Sequence, residues 1–164
     1  MPELAPIVIN SHEFVRGRRV IEGAVALLRL SRLSDVLLDL DGNLAVRLEG
    51  WQDADRVSWL RLEVYGQVAL CCQRCLGRME WPLSIVSLLQ VIGPDEAWPD
   101  EDLADDGADV IAAENELDVL ALVEDEVLLV LPIAARHPQC ESPLATEKVD
   151  GSSPFMALAV LRKH

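Results

Sequence analysis

Three alternating runs in the middle of the chain restrict its fold more than any other feature. Residues 57–71 set Val57, Trp59, Arg61, Glu63 and Tyr65 against Ser58, Leu60, Leu62, Val64 and Gly66. Residues 79–92 set Trp81, Leu83, Ile85 and Ser87 against Pro82, Ser84, Val86 and Leu88, and residues 44–50 alternate in the same way. A period of two puts successive side chains on opposite faces of a strand. Parallel pairing needs a crossover of a dozen or more residues, and these links are too short, so the runs predict an antiparallel meander. Asp41-Gly42-Asn43 supplies a turn signal before the first run, and residues 72–77 form the turn between the last two. Residues 19–26 predict a further strand with Val20, Glu22, Ala24 and Ala26 on one side, and residues 31–38 predict a short helix capped by Ser31.

Residues 117–131 predict the main helix. Asp118 is suited to its N-cap and Pro132 to its stop. Leu117, Leu120, Ala121, Glu124, Leu128 and Leu131 run down one stripe, and further apolar positions cover much of the circumference, so the helix is expected to dock on the sheet. Glu124-Asp125-Glu126 interrupts this apolar surface. Carboxylates buried without partners are costly, so these three must reach water, meet arginines such as Arg74 and Arg78, or contact a partner.

The expected fold class is α+β: an antiparallel sheet packed by one main helix, with an acidic loop and a short C-terminal helix. Whether the sheet curls into a partial barrel is open. The expected organisation is a flexible N-terminal segment (1–18), a single domain (19–137, with the acidic loop at 93–116), and a linker with an amphipathic segment (138–164). Phe155, Leu158 and Leu161 recur at spacings of three in that last segment. The longest apolar run, Val127 to Ala135, is nine residues and contains Pro132. A membrane helix needs ~20. The N-terminus has no basic stretch ahead of an apolar one, so no secretory signal or membrane association is expected, and the expected localisation is cytoplasmic.

The net charge is −14, with 28 acids against 14 bases, and it is concentrated. Residues 95–126 carry fourteen acids and no base, while the segments on either side are nearly neutral. Such a field repels nucleic acid, so DNA is not an expected partner, and any RNA contact needs a local arginine patch. Arg16, Arg18 and Arg19 form one small cluster, and Arg74 and Arg78 form another.

Cys72-Gln-Arg-Cys75 has the spacing of a zinc knuckle, and His137-Pro-Gln-Cys140 repeats it downstream. Two such pairs can supply the four ligands of a tetrahedral ion, so Cys72, Cys75, His137 and Cys140 are candidate metal ligands with zinc as the candidate cofactor. Buried thiols at a turn beside a chance histidine would give the same letters. Nucleophilic catalysis finds little support, because the chain has three histidines, no Gly-x-Ser-x-Gly elbow and no phosphate-binding loop. The chain is therefore expected not to be an enzyme.

Several of these stretches together resemble one family. Cys72-Gln-Arg-Cys75-Leu76 resembles the Cys-x-Arg-Cys signature of the YceD family. Leu117 to Pro132 resembles its second signature, a helix with Val-Glu-Asp-Glu at its centre and Pro at its end. Pro154-Phe155-Met-Ala-Leu-Ala-Val-Leu-Arg resembles its Asn-Pro-Phe-x-x-Leu ending. The resemblance covers most of the chain from about Val20 onward. It implies a non-enzymatic role in 23S ribosomal RNA accumulation or processing and in large ribosomal subunit biogenesis. The implied partners are ribosomal precursor components, either a basic ribosomal protein or 23S ribosomal RNA. It also marks Arg74, Asp118, Glu124, Asp125, Glu126, Pro132, Pro154 and Phe155 as signature residues, and it favours pairing Arg74 with Glu124 or Glu126. A zinc-binding adaptor or a small-molecule enzyme unrelated to ribosomes is the alternative. Some family members carry further cysteines after the helix, where this chain has Cys140 alone.

Overall fold

The computed structural model describes residues 1–5, 7–98 and 107–141. Its strands and helices in chain order are β1 (Val8–Ile9), α1 (Ser11–Arg16), β2 (Val20–Ala26), β3 (Asn43–Gln52), β4 (Ser58–Cys71), β5 (Arg78–Ile92), β6 (Asp109–Ala112), β7 (Leu117–Asp118) and α2 (Val119–Val130). Two 3-10 turns, Leu27–Arg29 and Ser31–Asp35, join β2 to β3.

The predicted meander forms. The main sheet has the order β2-β3-β4-β5-β6, antiparallel from β2 to β5. It is an open sheet, with β2 and β6 as its edges. Alternation delivers one apolar face: Leu44, Val46 and Leu48 of β3, Leu60, Leu62 and Val64 of β4, and Leu83, Ile85, Leu89 and Val91 of β5 are all buried. The β3–β4 turn is held by Asp53, whose carboxylate accepts from the backbone N–H groups of Asp55 and Val57 at 2.9 Å and from Trp59 Nε1 at 2.9 Å. Pro82 is tolerated within β5 because β6 covers only Leu89 to Ile92, so the proline lies along an open edge.

Helix α2 lies against β4, β5 and the second 3-10 turn. Asp118 caps it as expected, accepting from Leu120 N–H at 2.8 Å and Ala121 N–H at 3.3 Å. The face it buries differs from the expected stripe: Val119, Leu122, Val123 and Val127 go inward, with Glu124 and Glu126 also buried. An apolar surface that runs nearly all round leaves periodicity no means of choosing a face. The expected helix at 31–38 is only the 3-10 turn Ser31–Asp35, which places Leu33 fully inside.

Residues 1–18 are not the flexible segment expected from Pro2, Pro6 and Gly17. Among the described residues of this stretch, Leu4, Ile9, Phe14 and Val15 are core residues. Strand β1 pairs with β7, Val8 opposite Asp118 and Ile9 opposite Leu117. Asn10 caps α1 by accepting from Glu13 N–H at 2.9 Å. Buried Ser11 accepts from Glu114 N–H through Oγ at 2.9 Å, and its own N–H donates to Glu114 O at 3.0 Å. Phe14 and Val15 can approach β3 because residue 50 is glycine: a Cβ there would stand 2.8 Å from the Phe14 ring. The partners that fold this segment range from Ala24 and Gly50 to Glu114 and Asp118, beyond the reach of local pattern.

The acidic loop at 93–116 is also corrected at its far end, where Asp109–Ala112 forms β6, parallel to β5. Residues 99–106 of that loop, and the expected C-terminal helix with Pro154 and Phe155, lie outside the described residues. Among the described residues, no helix is long and apolar enough to cross a membrane.

Candidate metal centre

The β4–β5 hairpin ends in Cys72-Gln-Arg-Cys75-Leu-Gly. This turn closes through Cys72 N–H donating to Gly77 O at 2.9 Å and Leu76 N–H donating to Cys72 O at 2.8 Å. Leu76 takes φ +60°, a left-handed conformation that costs a non-glycine residue free energy. Beyond α2 the chain turns back at Pro132 and runs past this hairpin. The N–H of Gln73 donates to Ala135 O at 2.8 Å, which brings His137 and Cys140 over the knuckle.

The four predicted ligands meet there. One donor atom from each of Cys72, Cys75, His137 and Cys140 lies within 4.8 Å of the other three. Cys72 Sγ and Cys140 Sγ are 3.7 Å apart, and Cys75 Sγ is 3.3 Å from His137 Nδ1. Zinc–sulfur bonds of ~2.3 Å in a tetrahedron put two sulfurs about 3.8 Å apart. The observed spacing is thus that of ligands sharing one ion, and all four cysteines of the chain are free thiols.

The histidine is oriented for this role. His137 Nε2 lies 3.1 Å from the carbonyl oxygen of Arg78, and a carbonyl can only accept. The proton therefore sits on Nε2, and Nδ1 presents its lone pair to the thiols. A backbone carbonyl that fixes the imidazole tautomer is the usual support behind a metal-binding histidine.

The thiols are not equivalent. Burial pushes the fully buried Cys72 thiol up, but the backbone N–H groups of Cys75, His137 and Arg74, with the Cys75 thiol, outweigh it and hold its pKa at about 5. The His137 N–H reaches Cys72 Sγ at 3.4 Å. Cys72 is therefore a thiolate at neutral pH, the form that binds a metal. Cys140 is raised instead, first by burial and then by its contacts with Cys72 and Cys75.

The signature residues divide into distinct groups. Arg74 donates to the carbonyl of Cys140 at 3.4 Å, tying the two halves of the cluster together. It does not meet Glu124 or Glu126, and the expected pairing is corrected. Glu124 accepts from the backbone N–H of Arg32 at 2.9 Å, while Asp125 pairs with the Arg32 guanidinium. Glu126 accepts from the Ser87 hydroxyl of β5. Arg78 pairs instead with Asp39 and Glu80. These acids therefore fasten α2 to the second 3-10 turn and to β5, which removes the cost that made them conspicuous. Pro132 ends α2 and begins the return toward the knuckle.

Arg32, Ser87 and the backbone of Arg78 are the residues that sequence reasoning missed in these roles. Apart from the Arg32 guanidinium on Asp125, their contributions are a backbone N–H, a hydroxyl and a carbonyl, and no residue-type pattern marks those.

No curated protein and no solved structure matches the chain. The family described as large ribosomal RNA subunit accumulation protein YceD does match, over residues 60–161. That span is narrower than the resemblance from Val20 onward, but it holds the knuckle, α2 and the C-terminal segment. It covers more than half of the chain, which therefore belongs to the YceD family.

Proposed function

We propose that this protein serves the accumulation or processing of 23S ribosomal RNA and the biogenesis of the large ribosomal subunit, acting in the cytoplasm as a binding factor and not as a catalyst. The observation that carries this reading is the family match across residues 60–161, whose description names the large ribosomal RNA subunit. The site chemistry supports the non-catalytic part. Its titratable groups converge on a four-ligand cluster, and a closed set of four ligands leaves a metal no open coordination position for substrate.

In this reading the cluster holds zinc. The ion would clamp the β4–β5 hairpin to the chain leaving α2, two segments joined by one backbone–backbone hydrogen bond, Gln73 N–H to Ala135 O, and by side-chain bonds of Arg74, His137 and Cys72. The fourteen acids of residues 95–126 favour a basic ribosomal protein as the direct partner over bare RNA.

The test is depletion of the protein in cells, with the ratio of 23S to 16S ribosomal RNA measured and precursor ends mapped. A selective fall in 23S RNA is the expected result. An unchanged ratio with normal subunit profiles rejects the proposal. Removal of residues 95–109 from the purified protein tests the partner: affinity for basic ribosomal proteins should fall, and the wild-type binding should weaken steeply with salt.

A further inference from the structure

Beside the metal centre lies an open groove of about 400 Å³, walled by α2, the end of β4 and the segment after Pro132. Val36, Leu70, Leu128, Leu131 and Ile133 give it apolar walls, and Asp35 sits at its rim. Ile133 is fully exposed, and Val36 is 46% exposed. The neighbouring Leu129 and Val130 add 75% and 44% exposure to the same end of α2. Exposed aliphatic side chains clustered in this way usually mark a surface that something covers.

We infer that this groove is the docking site of the chain's own C-terminal segment, Pro154 to Arg162, with Phe155 and Leu158 entering it. Three observations carry this. The described chain ends at Glu141, next to Cys140, whose Sγ stands 3.7 Å from that of Cys72. Cys72 lies between Cys71 and Gln73, both part of the groove wall, so the remaining chain departs from the groove's edge. Twelve residues, 142–153, separate that point from Pro154. Extended, they reach up to ~40 Å, far more than the groove requires, and a short tether holds its end near its site at an effective concentration on the order of millimolar.

The chemistry of the segment also matches. Phe155, Leu158 and Leu161 repeat at three-residue spacing, and Arg162 and Lys163 follow as cations. Among the described residues, Asp35 at the rim makes no ion pair. Finally, the family match runs from residue 60 past Phe155 to residue 161, so it takes in the segment and the groove wall from Leu70 to Ala135, though not Asp35 and Val36. This inference does not rest on the ribosomal reading and can fail or hold without it.

The test is amide hydrogen exchange of the full-length chain, read at residues 128–136. The variants are Phe155→Ala with Leu158→Ala, and, separately, Ile133→Ser. Ile133 is exposed, so its replacement spares the fold. Loss of the docked segment should speed exchange at 128–136 about three- to tenfold in either variant, with metal content unchanged and the unfolding temperature lowered by no more than about a few degrees. The two sets combined should act no more strongly than one, since both break one contact. Unchanged exchange at 128–136 in the tail variant overturns the inference. So does a wild-type protein that sediments as a dimer and becomes monomeric in the tail variant, because the segment would then dock on a second copy.

Discussion

Replacing Gly23 by alanine isolates the contact that makes the N-terminal segment part of the domain. Gly23 lies in β2, and a Cβ there would stand 2.5 Å from Leu4 Cα and 2.6 Å from Leu4 N. Both are backbone atoms, so no side-chain rotation relieves the overlap, and the segment must lift off. Lifting breaks Leu4 N–H to Ala24 O at 3.0 Å and Ala24 N–H to Pro2 O at 2.7 Å. It also exposes Leu4, now 1% accessible. Exposing a leucine costs about 1.5–3 kcal/mol, and each hydrogen bond about 0.5–1.5 kcal/mol. Alanine in place of glycine returns about 0.4–1 kcal/mol through the unfolded state. The net is a loss of about 3 kcal/mol, which in a domain of this size lowers the unfolding temperature by roughly 6–12 °C. Thermal and urea unfolding measure it, with Leu4→Ala as the second arm of a double-mutant cycle. The two changes should add far less than fully, because they disrupt one contact. A Gly23→Ala protein that melts with the wild type, or full additivity with Leu4→Ala, refutes the reasoning.

The metal centre yields further expectations. His137→Ala and Cys140→Ser should each reduce zinc affinity by at least tenfold, read by competition with a chromogenic chelator, and chelation of the wild type should lower its unfolding temperature. Cys72 is already a thiolate at pH 7, whereas Cys140, raised above 9.0, is still protonated. Zinc uptake at pH 7 should therefore release the Cys140 proton, and calorimetry in buffers of different ionisation enthalpy should register it. In the metal-free protein the lowered Cys72 pKa stabilises the fold above pH 9, and this stabilisation should fade as pH falls toward 5, seen as a falling melting temperature with chelator present. Arg74→Glu combined with Glu124→Arg should be no better than the sum of the single changes in thermal unfolding, since Arg74 reaches Cys140 and Glu124 reaches Arg32.

The middle of the chain was the more legible in local pattern. Alternation located β3, β4 and β5 to within two residues at each end, and Asp118 and Pro132 bracketed α2 because capping and helix breaking are properties of single residues in their immediate surroundings. The ligand pairs were legible for the same reason, since two ligands three residues apart share one tight turn. The N-terminal segment was read the wrong way round, because prolines and a glycine report local freedom and say nothing of Leu4 and Phe14 packing on distant strands.

Sequence by itself determined the antiparallel meander, the cap and end of the helix, the four ligand types and the acidic block, all of them periodicities or spacings within a few residues. Only the tertiary structure decided which face of α2 is buried, that Glu124 and Glu126 answer to Arg32 and Ser87, and that Cys75 meets His137 across 62 residues. Each of those choices is a contact between segments far apart in the chain. Its free energy depends on how the sheet and helix stack, and that is fixed by packing the whole core at once.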